Sequence, residues 1–157
     1  DASALEGLED NSFDLVCSSN GFFVWISEPE QVFREVQRVL KPGGFYIFYD
    51  IHPFLRPWKN QVFPLEMEKP YFQTEPFENE ENGEISYEFH WRLSDLLNTL
   101  LDAGLTVRQI AESPAKDSHF WEGHAYTAGR DPGLLDWRNN PRAGLPVWLS
   151  MAASKPE

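Results

Sequence analysis

Apolar positions along this chain change period several times, and the changes mark its elements. Phe13 to Ser18 is a short apolar run bounded by polar residues, and Phe45 to Tyr49 is five apolar or aromatic residues without alternation. Such runs predict strands, and strands that do not alternate are usually covered on both faces, as in an α/β protein. Between them Val32, Phe33, Val36, Val39 and Leu40 fall on one helical stripe. Ser27 and Glu30 have capping-box spacing and predict the helix start. Lys41 suits the negative helix end, and Pro42-Gly43-Gly44 predicts the stop. The connection is long enough for a right-handed crossover between parallel neighbours.

A second helix is predicted after Ser94, read as its N-cap, with Asp95 in the first turn. Leu96, Leu97, Leu100 and Leu101 form its apolar stripe, and Gly104 supplies a left-handed C-terminal cap followed by Leu105. A strand over Thr106 to Glu112 and a final one over Val147 to Ala153 complete the regular elements. Two excursions interrupt them. Residues 113 to 144 are loop-rich. His52 to Trp91 is aromatic, punctuated by Pro53, Pro57, Pro64, Pro70 and Pro76, and carries eight glutamates between Glu66 and Glu88. Prolines at that density exclude one long helix. Alternation over residues 85 to 91 and the Asn82-Gly83 pair predict a hairpin.

In order along the chain, FDLV, an S-x-P-E helix start, R-V-L-K-P-G-G with an aromatic strand, HWRLSDLLNTLLDAGL at 90 to 105 and LPVWLSMAASKP at 145 to 156 resemble class I S-adenosylmethionine-dependent methyltransferases, the small-molecule branch above all. The resemblance implies an α/β, Rossmann-like, mostly parallel sheet made of the family's strands four to seven. Its last strand, 147–153, would run antiparallel between 45–50 and 106–112. Asp1 then falls just after the family's third strand. The chain has ten glycines but no G-x-G, so the loop that lets backbone approach the cofactor is missing, as is the acidic residue that holds the ribose. Residues 1–157 are therefore expected to be the carboxyl-terminal part of one methyltransferase domain, from a truncated gene product or a natural half-domain, with a cap-like insertion at about 52–91.

By position in that family, Asp1 and Ala2 would contact the adenine of S-adenosyl-L-methionine, and Ser18, Ser19 and Asn20 its methionine end. The same serines could equally make strand-end hydrogen bonds. Asp50 and His52 sit at the carboxyl end of their strand, where a substrate would lie, and an Asp near a His can orient an imidazole as a base. The competing reading makes His52-Pro53 a structural turn. His90 is weighed the same way. The aromatic segment could cap a small aromatic or cationic methyl acceptor in a negative field, or be a solvated excursion. His119 and His124 read as surface residues rather than metal ligands, and no metal is expected.

Composition narrows the partners. A formal charge of −12 opposes a nucleic-acid footprint, which needs basic patches. No apolar stretch approaches a membrane span, and a cytoplasmic location is expected. Cys17, the one cysteine, reads as a small core residue. The strand at 13–18 would be left as a bare edge, which invites a homodimer or another association. A non-catalytic interaction module that retains half of the fold is the alternative to the enzyme.

Overall fold

The computed structural model describes residues 1–122 and 129–157 of the 157-residue chain. In order they form β1 (Phe13–Ser19), α1 (Pro29–Val39), β2 (Leu40–Ile51), a hairpin of β3 (Phe77–Glu81) and β4 (Glu84–Glu88), α2 (Leu93–Asp102), β5 (Thr106–Ser113), α3 (His119–Glu122) and β6 (Trp148–Ser154). One four-stranded sheet has the order β1-β2-β6-β5. β1 and β2 are parallel, and β6 runs antiparallel to both of its neighbours. This is the α/β arrangement expected from the four apolar runs. Asn82 and Gly83 both take positive φ, 54° and 82°, at the tip of the β3–β4 hairpin, the conformation that a tight two-residue turn requires.

The ends of the helices differ from the sequence expectation. Glu28, not Ser27, is the N-cap of α1, because Pro29 already has the φ of a first helical residue and pulls the start inward. α2 starts at Leu93 with Arg92 as N-cap, since the Asp95 carboxylate reaches back to the Arg92 N–H at 3.0 Å. Ser94 is thus inside the helix. Lys41 does not complement the end of α1 either, because its Nζ pairs with Asp14 at 2.8 Å. The Lys41–Gly44 stretch is absorbed into β2 as an irregularity, with the register passing from Phe13–Leu40 to Leu15–Phe45.

Both helices pack on one face of the sheet. Val32, Phe33 and Val36 of α1 and Leu96 and Leu100 of α2 meet Tyr46, Phe48, Leu149 and Met151 from β2 and β6. The Phe33 ring lies 5.2 Å from Phe23 and 5.9 Å from Tyr46, so the centre of this layer is aromatic. Leu101, expected in the stripe, is exposed. Gly104 has φ +84° and ends α2 as expected, with its N–H donating to the Leu101 carbonyl.

The opposite sheet face breaks the rule of double coverage. Leu15 is 54 % exposed and Phe45 45 %, and Cys17 lies exposed on β1 rather than in a core. An apolar run reports a strand with apolar faces; it does not say where in the sheet that strand lies or what covers it. Near the carboxyl end of β2, Tyr49 stacks on Trp148 and Trp148 meets Phe120, beside a second small core of Leu55, Trp121 and Val147.

Phe33→Ala is expected to lower the unfolding free energy by about 3–5 kcal/mol, as deletion of a fully buried ring does, whereas Leu101→Ala is expected to stay within about 0.5 kcal/mol of the parent. Urea denaturation followed by far-ultraviolet circular dichroism measures both.

Candidate functional site

The carboxyl end of β1 is tied to the carboxyl end of β2 by one buried carboxylate. After Ser19 the chain turns through Asn20 (φ 41°) and Gly21 (φ 78°), while the Asn20 N–H donates to the Tyr49 carbonyl at 2.7 Å. Asp50, 2 % exposed, then accepts from the N–H groups of Gly21 at 2.7 Å, Phe23 at 3.2 Å and Ile51 at 2.7 Å. Arg56 lies 3.6 Å from the same carboxylate. Asp50 is an anchor of backbone, with three of its roughly four acceptor sites taken by main-chain N–H groups.

The Asp50–His52 dyad is accordingly not assembled. His52 is buried, accepts the Phe54 N–H at its Nδ1 (3.0 Å), and therefore presents an Nε2–H, which donates to Glu112 at 2.7 Å. Both ring nitrogens serve a turn and a link to β5. The residues expected at the cofactor do not enclose a site among themselves. The Asp1 carboxylate takes the N–H and hydroxyl of Ser3 at 2.9 and 2.8 Å. Ala2 packs on the helical layer, and Ser18 bonds the buried Tyr46 hydroxyl. Burial raises the Tyr46 pKa above the usual phenol range. Ser19 and Asn20 are exposed. At Gly21 a Cβ would meet nothing within 4 Å, so the loop offers one open wall and no cradle.

A cavity of about 330 Å³ does lie beyond β2. The proline-rich segment after β2 supplies Leu55, Arg56, Trp58 and Lys69, β4 and its exit supply Glu88 and His90, and α3 and the 3₁₀ turn Pro141–Gly144 supply Phe120 and Arg142. His90 Nε2 is 3.2 Å from Glu88 Oε2, and Lys69 Nζ is 3.1 Å from the same oxygen. Partial burial lowers the His90 pKa, assisted by Lys69 and Arg56 and only partly offset by Glu88. Burial raises the Glu88 carboxyl, but Lys69 and His90 outweigh it and hold the group below the usual range. The expected negative field is absent from this lining, which combines Arg56, Lys69 and Arg142 with Glu68 and Glu88. Most of the glutamates that suggested it line no part of the cavity.

Of the sequence candidates, only His90 borders this cavity. Sequence reasoning missed Arg56, Lys69 and Arg142. Arg142 bonds Asn60 across 82 residues, a pairing that no local spacing announces. His119 sits with Nδ1 3.0 Å from Asp117, and His124 lies outside the described residues. Among the described residues no group of three His, Cys, Asp or Glu is arranged for a metal ion, and no helix is long and apolar enough to cross a membrane.

Comparison with known proteins places these features. The methyltransferase-domain profile matches residues 1–48. No curated protein matches the chain. Among solved structures, an S-adenosylmethionine-dependent methyltransferase from Mesorhizobium loti superposes with a TM-score of 0.66 at 20% identity, over 99% of this chain and 67% of its own length. One from Methanosarcina mazei gives 0.59 at 16% identity, over 99% and 65%. The [4+2]-cyclase SpnF gives 0.55 at 20% identity, over 99% and 55%. The chain thus spans about two thirds or less of these structures, and a shared fold by itself does not fix the reaction. Residues 1–48 thus match the methyltransferase-domain family model, and the sheet of β1-β2-β6-β5 with an antiparallel β6 has the fold of part of the Rossmann-like domain of these S-adenosylmethionine-dependent methyltransferase structures.

Proposed function

We propose that this chain forms the acceptor side of an S-adenosylmethionine-dependent methyltransferase acting on a small molecule. The observation that supports the reading is the 330 Å³ cavity at the carboxyl end of β2, of a size that suits a small ligand, with a His90–Glu88 pair in its lining. S-adenosylmethionine brings a methyl group already activated on a sulfonium, so the protein has to bind, orient and exclude water. Trp58, Phe120 and Leu55 provide the apolar walls for that work, and Asp50 fixes the strand-end loop relative to Arg56. His90 is the base. Donating Nε2–H to Glu88 leaves Nδ1 as the basic atom, and the lowered pKa keeps it neutral near pH 7. Transfer of a labelled methyl group to a captured small molecule by the complete protein, cofactor loop included, tests the reading; a non-catalytic module would show the cavity and no transfer.

Because Ser18 to Asn20 give one wall only, calorimetry is expected to find S-adenosylmethionine binding to this chain weaker than micromolar, and Asn20→Ala to weaken it further. Micromolar affinity would contradict the assignment of that wall.

The His90 imidazole proton resonances are expected to titrate below the ordinary value of about 6.5. The folded protein then binds this proton less tightly than the unfolded chain. The stability owed to the neutral ring is complete above about pH 6.5 and is lost as pH falls from there through the folded-state value. Urea midpoints between pH 7.5 and 5 are expected to fall in the parent and to fall less in His90→Gln.

The β1 edge supports a further proposal, pairing with a second copy of this chain. β1 ends the sheet, and residues 1–12 lie against α1, with Arg38 holding the Leu5 and Leu8 carbonyls, rather than along the edge. An uncovered edge is a template for another strand. Light scattering is expected to show concentration-dependent dimers that Cys17→Pro abolishes, since the N–H groups of Ser12 and Asn20 point to β2 and alternation turns that of Cys17 to the free edge, where proline removes the donor. A monomer at tens of micromolar would end this proposal.

A further inference from the structure

The cavity beyond β2 holds more positive charge than proton transfer from an acceptor requires. Arg142 is 7% exposed, and no carboxylate pairs with it among the described residues. Its Nη1 donates to Asn60 Oδ1 at 2.9 Å, its head lies 4.9 Å from the Trp121 ring centre, and its buried Nε–H has no acceptor. The Arg56 side chain is 17% exposed, and the carboxylate 3.6 Å away, Asp50, is already taken by three backbone N–H groups. Lys69, by contrast, is matched by Glu88.

A buried guanidinium such as Arg142 and a partly buried one such as Arg56, neither with a full set of partners, are costly, because an arginine cannot shed its charge and its free donors remain unpaired. In a chain of net charge −12, no carboxylate among the described residues is placed on Arg142, and the one beside Arg56 is shared with three backbone N–H groups. The missing acceptors are supplied once a ligand brings an anion. A guanidinium fork matches planar carboxylates and phosphates alike. Phosphate sites of the backbone-cradle kind are built from glycine loops and helix N-termini, and among the described residues no glycine lines this cavity.

We infer that the cavity binds the carboxylate of its ligand on Arg56 and Arg142, with an aromatic or other apolar body against Leu55, Trp58 and Phe120. As the identity of a methyl acceptor, a small aryl or alkyl carboxylic acid, this rests on the methyl-transfer reading. As a binding site it does not, so the test leaves out the methyl donor.

The probes are 3-phenylpropionate, its amide and 3-phenylpropylamine, which share one body and differ in charge. Calorimetry on the chain is expected to show the acid binding at least about tenfold more tightly than the amide, the amine not at all, as charge-assisted bonds require. Arg56→Gln and Arg142→Gln are each expected to weaken the acid by a similar factor and to leave the amide unchanged. Their melting temperatures show whether they fold. If Arg142→Gln does not fold, Arg56→Gln and the shift of the parent's arginine Nε–H resonances on adding the acid decide. Equal binding of acid and amide, no acid binding at millimolar concentration, full displacement of the acid by equimolar inorganic phosphate, or acid binding untouched in folded Arg56→Gln overturns the site. Acid binding that needs both arginines, with no methyl transfer to any acid in a separate assay of the complete protein with its methyl donor, upholds the site and overturns the acceptor reading alone.

Discussion

The Asp50 carboxylate is the interaction on which the arrangement of this protein turns. A buried charge is tolerated only when its lone pairs are met, and here backbone N–H groups from Gly21, Phe23 and Ile51 meet them. The bonds hold the loop after β1 against the end of β2 and so fix the 3₁₀ turn at Phe23–Trp25. That turn accepts the Phe89 N–H at the Val24 carbonyl and the Trp91 indole at the Ile26 carbonyl, which sets the exit of the hairpin and with it Glu88 and His90. The same carboxylate also attracts Arg56. One side chain thereby orients the strand-end loop and two parts of the cavity wall together.

Charge distribution gives the cavity its character. The protein as a whole is acidic, yet its concave region gathers cations whose partners are few. Lys69, Glu88 and His90 form a compact group in which the proton balance of the imidazole is set by its neighbours. Arg142 leans on an aromatic face for part of its stabilisation, an interaction that leaves the plane of its donors available.

The elements were legible in the sequence because each depends on residues close together. The stripe of Val32, Phe33, Val36 and Val39, the tip at Asn82-Gly83 and the stop at Gly104 are local signals, and the structure uses each as read. Helix starts were not, since Ser27 and Ser94 competed with Pro29 and Asp95, and φ preference or a reaching carboxylate prevailed over a good capping residue. Cys17 and Leu15 show a different limit: an apolar strand face announces itself, but its cover is decided elsewhere. The site was the least legible part. His90 was within reach, while Arg56, Lys69 and Arg142 look like ordinary surface cations until long-range packing buries them around a common space.

The position of β6 also governs how the sheet can be built. β2 and β5 have no ladder with each other; each is joined only through β6, from Phe45–Ser154 and Thr106–Ser154 at one end to Ile51–Trp148 and Ser113–Trp148 at the other. Pairings so distant in sequence form late, after the loop-closure cost has been met. During synthesis, β1, α1 and β2 therefore emerge as one unit and α2 with β5 as another, both with open edges, and β6, made after both, unites them. Until it arrives, the edges of β2 and β5 that it will join stay unpaired, making this the interval in which a chaperone has most to protect.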